Sequence, residues 1–295
     1  MYSFFRHAFL ELGVNVEGEQ LGEFDNRPVG EYADTLIMDL FKLNVTMIEA
    51  EAAIILNVWM RAVHELYEVL RACKRNDGNT EGDMHKSIDI VAALWIGTGQ
   101  GYGDNESGNM LYNLAETAGV RFDQDRGETA ANTIFMDELL ALKLGNNFQT
   151  CKNDENGYEK LRPIVRKMIG QMTVPLIQTL IHHLMLEPST DRSNYIELYA
   201  LSIAPRVEAC NPTAYGDMLE LFVRSNFEIS RRPQAFELLQ GSYTCLEVTC
   251  AMVGSYRSGQ VEACTESRDP PMLAGYPSNF FAVTPVSSWN CRCRR

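Results

Sequence analysis

The chain has 295 residues, 45% of them hydrophobic, which is ample for a packed core and leaves room for one large domain or two of ordinary size. Thirty-nine acidic residues against 26 basic ones give a net charge of −13, which disfavours nucleic acid and anionic membrane as partners and attracts cations. No apolar run reaches the roughly 18 residues of a membrane-spanning helix, the nearest being broken by Asn57 and Arg61 or by Gln178, His182 and His183.

The opening MYSFFRHAFLELG holds a short apolar patch but lacks the basic start, long apolar stretch and small-residue cleavage site of a signal peptide. Residues 1–30 read as an N-terminal extension. From Asp34 onward helical periodicity recurs and strand signals are nearly absent, so the fold predicted is all-α. Helices are expected over 33–43, 46–73, 86–98, 108–118, 129–145, 158–186, 194–209, 214–225 and 233–241. Turn-rich linkers KRNDGNTEGD (74–83), GTGQGYGDNESG (97–108) and KNDENG (152–157) separate them. The glycine-rich second linker has neither the GK[ST] ending of a phosphate loop nor a βαβ context, and reads as an interhelical loop.

An internal echo runs through this series. TLIMDLFKL (35–43) resembles TIFMDELLAL (133–142), VAALWIGT (91–98) resembles LYALSIAP (198–205), and Gly108-Asn109-Met110-Leu111 answers Gly216-Asp217-Met218-Leu219. The reading is a duplicated multi-helix array over 31–256, split at about 31–130 and 131–256. From Arg257 the pattern fades, and 257–295 is expected to form an irregular tail.

The stretch AIILNVWMRAVHELYEVL (53–70) carries its polar groups on one stripe. At about 100° per residue, Asn57, Arg61, His64, Glu65 and Glu68 fall within an arc of roughly 100°. Such a stripe faces either a slot of solvent or an internal pocket. His64 and Glu68, four apart, stand side by side, and Glu49 or Glu51 lies one or two turns upstream. With Glu65, and with Glu116 and Asp137 from neighbouring helices, these are the candidate metal ligands, nitrogen and oxygen donors suited to iron. Each also has a structural reading: an i,i+4 pair on a solvated stripe, and for Asp137, which aligns with Asp39 in the echo, capping or packing. His182 and His183 are adjacent and point about 100° apart, so one is expected buried and the other exposed. Motifs for nucleophilic catalysis, and the Glu-x-x-His pair of di-iron sites, are absent from the sequence.

Eight cysteines, most of them at the ends of predicted elements, point to disulfides and an oxidising compartment. Four residues separate Cys245 from Cys250, and zinc-finger spacing is absent. The sequons Asn44-Val-Thr46 and Asn105-Glu-Ser107 agree with a secretory route. Because no signal peptide accompanies them, the N-terminus is expected to be either truncated or wrongly assigned.

The words VWMRAVHELYEVLRACKRN, DIVAALWIGTGQGYGDNESGNMLYNLAETAGVRFDQD, QMTVPLIQTLIHHL and SYTCLEVTCAMVGSY together resemble the algal low-iron-inducible, iron-assimilating periplasmic proteins. The similarity spans roughly Asp34 to Tyr256. It implies a secreted, periplasmic or cell-surface protein with no catalytic activity, which concentrates iron, as Fe³⁺ or Fe²⁺, for a surface transporter or reductase. Within HELYE it supports His64, Glu65 and Glu68, and Glu116 lies in its LAE word. Fe³⁺ prefers oxygen, so a tyrosinate such as Tyr67, Tyr112 or Tyr199 would suit it. Two alternatives stand beside this one: a helical scaffold for surface proteins that binds no metal, and a ferroxidase if carboxylate-rich helices face each other.

Overall fold

In the computed structural model, residues 23–24, 27–28, 32–42, 46–75, 79–98, 110–144, 151, 156–224 and 227–257 are described. The architecture is all-α, as expected. Among the described residues strand pairing is limited to a two-residue antiparallel hairpin, β1 (Glu23–Phe24) with β2 (Arg27–Pro28). The expected tail from 258 onward, the loop 99–109 and Cys264, Cys291 and Cys293 lie outside the described residues.

Helix α1 (Tyr32–Lys42) turns Leu36 and Ile37 into the core. The long helix that follows contains α2 (Thr46–Ala52), a π-helical segment (Ala53–Trp59) and α3 (Met60–Arg75). The sequence predicts one uninterrupted α-helix here. Instead seven residues take the wider i→i+5 winding, a form concentrated at functional sites. Then α4 (Thr80–Ile96) packs antiparallel on α3. It starts six residues before the expected Lys86, because TEGDMH carries acids in its first turn, where they favour the positive helix end. Two further bonds hold this start: Arg75 pairs with Asp83 at 2.6 Å, and Asn79 donates to Asp83 at 2.8 Å. At its end Gly97 has φ +73°, and a Cβ there would lie 2.2 Å from Met110 Cγ, so only glycine fits.

Helices α5 (Leu111–Val120) and α6 (Ala130–Leu144) lead into α7 (Gly157–Met185), the axis of the molecule. Every residue of α7 from Met168 to Leu184 is buried. It contacts α3, α5, α6 and α8 (Thr190–Cys210). A helix apolar all round is a core helix, and α7 fits that rule. Pro175 cannot donate to the preceding turn, and next to that gap the Trp59 indole donates to the Met172 carbonyl at 3.0 Å. The carbonyls at the end of α7 are capped by two arginines. Arg192 donates to His183 O at 3.0 Å, and Arg232 reaches Leu184, Met185 and Leu186.

Ser189 caps α8, and Asn211 caps α9 (Pro212–Phe222). After a 3₁₀ turn, α10 (Arg232–Gly241), α11 (Tyr243–Leu246) and α12 (Cys250–Val253) close the chain over α7. Cys73 is bonded to Cys151 and Cys210 to Cys245, and Cys250 is disulfide-bonded as well. The disulfide stabilisation read from the cysteines is therefore present.

Candidate metal centre

The stripe on α3 is a ladder of ion pairs. Arg61 pairs with Glu65, Arg71 with Glu68 at 2.7 Å, and His64 Nε2 stands 3.6 Å from Glu68. His64 is half-buried, and burial moves its pKa below the usual histidine value against the pull of Glu68 and Glu65. The ladder runs from buried Glu65 to a 42% exposed Arg61 side chain, so it lies along the surface.

Glu116 has a different task. It is 1% exposed and accepts from the Gly127 amide at 2.6 Å, the Thr129 hydroxyl at 2.8 Å and the Asn132 amide at 2.6 Å. Asn132 also donates to the Tyr112 carbonyl and accepts from the Trp95 indole. The carboxylate thus ties α4, α5 and α6 into one unit. Asp137 is exposed on α6, whereas Glu49 is buried on α2. Among the described residues no group of three or more His, Cys, Asp and Glu side chains could hold a metal ion, so the six candidates do not assemble into one site.

A different set of donors does converge. Glu51, two residues before the π-helical segment, meets Tyr195 and Tyr199 of α8. The Tyr199 hydroxyl donates to Glu51 Oε1, and the Tyr195 hydroxyl bonds to the same carboxyl group. One helical turn separates the two tyrosines, which puts both phenols on one face. Facing them across the end of α7 are the adjacent histidines. The His183 ring stacks on Tyr195 with centroids 4.4 Å apart, and its Nδ1 is buried with no hydrogen-bond partner. His182 Nδ1 stands 2.8 Å from the Tyr256 hydroxyl. Contrary to the expectation of one buried and one exposed histidine, both are 8% exposed. The 100° between them is taken up by two protein walls, α8 on one side and the chain after α12 on the other.

Electrostatics follow from this enclosure. Burial pushes the Glu51 carboxyl above the usual carboxylate range, opposed by the Tyr199 hydroxyl and the nearby Arg121 guanidinium. Burial likewise raises Tyr195 and Tyr199, and the Glu51 charge raises both further. Burial lowers His182 to about 4 and His183 to about 3, with the Arg121 charge adding to it, so both rings are neutral at physiological pH; Nδ1 of His182 is engaged by Tyr256, whereas that of His183 is open to act as a nitrogen donor.

Chemically the cluster offers a carboxylate and two phenol oxygens with an imidazole beside them, a donor set for a hard cation. The sequence reading names Glu51 and Tyr199 separately but does not pair them. Tyr195, Arg121 and Tyr256 it misses. The tyrosine spacing in SNYIELYA is the signal that could have found them. Compared with known proteins, the chain matches no family model, no curated protein and no solved structure.

Proposed function

We propose that the protein is an extracytoplasmic, non-enzymatic iron-capture protein that holds Fe³⁺ on Glu51, Tyr195 and Tyr199, with His183 as the adjacent nitrogen donor. One observation carries the reading: two phenols and a carboxyl group brought together, beside a buried imidazole whose Nδ1 has no partner. Fe³⁺ is a hard ion, and a carboxylate with two phenolates supplies three negative charges to match it. The tyrosines are protonated in the absence of metal, so loading expels protons and is favoured by alkaline pH.

Other features support the same reading. A net charge of −13 draws cations toward the surface. The disulfides suit an oxidising compartment. Among the described residues no helix is long and apolar enough to cross a membrane. Delivery to a surface transporter or reductase completes the proposed role.

The test is titration of disulfide-intact protein with ferric citrate. The expected result is one Fe³⁺ per chain and a visible phenolate-to-iron charge-transfer band, lost in Tyr199→Phe. Absence of stoichiometric binding overturns the reading and leaves a helical scaffold, whose contact surface would include Leu140 and Leu144, exposed one turn apart on α6.

A further inference from the structure

A buried threonine inside a helix ordinarily spends its hydroxyl on the carbonyl four residues back. Thr173 of α7 does so, donating to Ile169 O at 2.7 Å. Thr179, on the same helix, does not. It is 1% exposed, and its Oγ1 is buried without a hydrogen-bond partner. An unpaired hydroxyl in the interior costs stability, and its position on α7 shows what it is aimed at.

Thr179 stands one helical turn before His183, so the two side chains share a face of α7. On that face lie the rings of α8: His183 stacks on Tyr195, and the Tyr199 ring lies nearly parallel to it at 6.2 Å and 21°. Two side chains reach the Tyr199 hydroxyl, Glu51 from α2 and Thr179 from α7. The phenol has one proton to give, and Glu51 receives it. Ser202 holds the Tyr199 backbone in place by donating to its carbonyl at 2.7 Å. What remains for Thr179 is the role of donor to the phenol oxygen. A neutral phenol is a weak acceptor, whereas a phenolate is a charged one whose hydrogen bonds are roughly twice as strong. The hydroxyl proton of a threonine turns to suit its acceptor.

We propose that Thr179 is a positioning residue of the iron site, its hydroxyl donating to the Tyr199 oxygen when iron takes the place of the phenol proton. The role rests on the iron-capture reading. The displaced phenol proton passes to solvent, and Thr179 keeps its own. A bond made in the loaded protein and absent from the unloaded one shifts the equilibrium toward loading by its full strength. Partners of this kind, one step removed from the metal, fix the orientation of a ligand, and their loss typically weakens metal binding by about 10–100-fold.

The experiment uses the full, disulfide-intact chain as wild type, as Thr179→Val, which has a similar shape but no hydroxyl, and as Thr179→Ser, which keeps the hydroxyl. Three quantities are read with ferric citrate as the iron source: affinity in competition with a chelator, the wavelength of the visible band, and the melting temperature without iron. Thr179→Val is expected to bind iron about 10–100-fold more weakly. Its band should move to longer wavelength, because a phenolate that has lost a donor gives up an electron to iron more readily. Without iron its melting temperature should be no lower than that of wild type, since no hydrogen bond is lost. Thr179→Ser should restore the band and most of the affinity. Wild-type affinity and band in Thr179→Val overturn the role and leave the iron site standing. A Thr179→Val chain that melts lower without iron, or does not fold, makes the hydroxyl a structural partner and overturns the role too. If wild type itself takes up no ferric ion, the iron site falls and the role falls with it.

Discussion

The Tyr199 hydroxyl donates a hydrogen bond to Glu51 across 148 residues of sequence, and this part-buried bond joins α2 to α8. Replacing Tyr199 by Phe removes one donor and leaves the half-buried Glu51 carboxyl group with Tyr195 alone, at a cost of about 1 kcal/mol in the metal-free protein. The same change deletes one oxygen of the proposed iron site. Thermal unfolding should show the lower stability, and ferric titration should show binding at least a hundredfold weaker with no visible band.

The paired histidines make metal-free stability depend on pH. Their folded pKa values of about 4 and about 3 lie below the ordinary value of 6.5, so the unfolded chain binds more protons between those limits. The contribution of the neutral rings is complete above about pH 6.5 and is lost as pH falls toward 4, at on the order of 1.4 kcal/mol per pH unit for each ring. Urea unfolding between pH 7 and pH 4 should reveal this slope, and His182→Gln should remove about half of it. Glu51 acts in the opposite sense. Its raised pKa stabilises the fold below the ordinary carboxylate value and loses that effect as pH rises through the folded value.

Glu116 serves as a structural knot. With Glu116→Ala the Gly127, Thr129 and Asn132 donors lose their acceptor, which costs about 3–5 kcal/mol and lowers the melting temperature by roughly 10 °C. Iron uptake by the remaining folded protein should be unchanged.

The His64→Ala/Glu68→Ala variant should lose less than about 1 kcal/mol, as expected of a partly exposed ion-pair ladder. Calorimetric iron titration should match wild type. Loss of tight binding would move the metal site back to α3.

Gly170→Ala tests the crossing of Glu247 over α7. A methyl 2.3 Å from the Glu247 carbonyl forces the helix and the crossing chain apart, at a cost of about 1–3 kcal/mol. Near-ultraviolet circular dichroism should report the displaced Tyr256.

Much of the fold is legible in the sequence because apolar periodicity is a local signal. The boundaries of α1, α6, α7 and α10 lie within one residue of those predicted, and the two internal prolines of α7 did not mislead, since the apolar run continues through both. The start of α4 was missed because TEGDMH looks like a linker until its acids are placed at a helix N-terminus. The π-helical winding is not legible for a related reason: AIILNVW suits any buried helix, and nothing in its local pattern distinguishes the wider turn from the ordinary one. The site was harder to read. Residues on one helix, such as His64 and Glu68, stand out by spacing, yet Glu51 and Tyr199 are joined only by tertiary structure. Burial also reverses the expected roles, making Glu116 a hydrogen-bond hub.

The π-helical segment keeps α2 and α3 in phase although it carries a residue too many. A wider winding holds about one residue more than the equivalent α-helical span, so deletion of a single residue within 53–59 would let the helix relax to ordinary α geometry while the parts on either side keep their angular relation. In an ordinary α-helical stretch the same extra residue would turn everything beyond it by about 100°, and Glu51 could not face Tyr199 while α3 packs on α7 as it does. The wider turn therefore absorbs the surplus residue inside seven largely apolar positions and leaves the faces of α2 and α3 where the rest of the fold needs them.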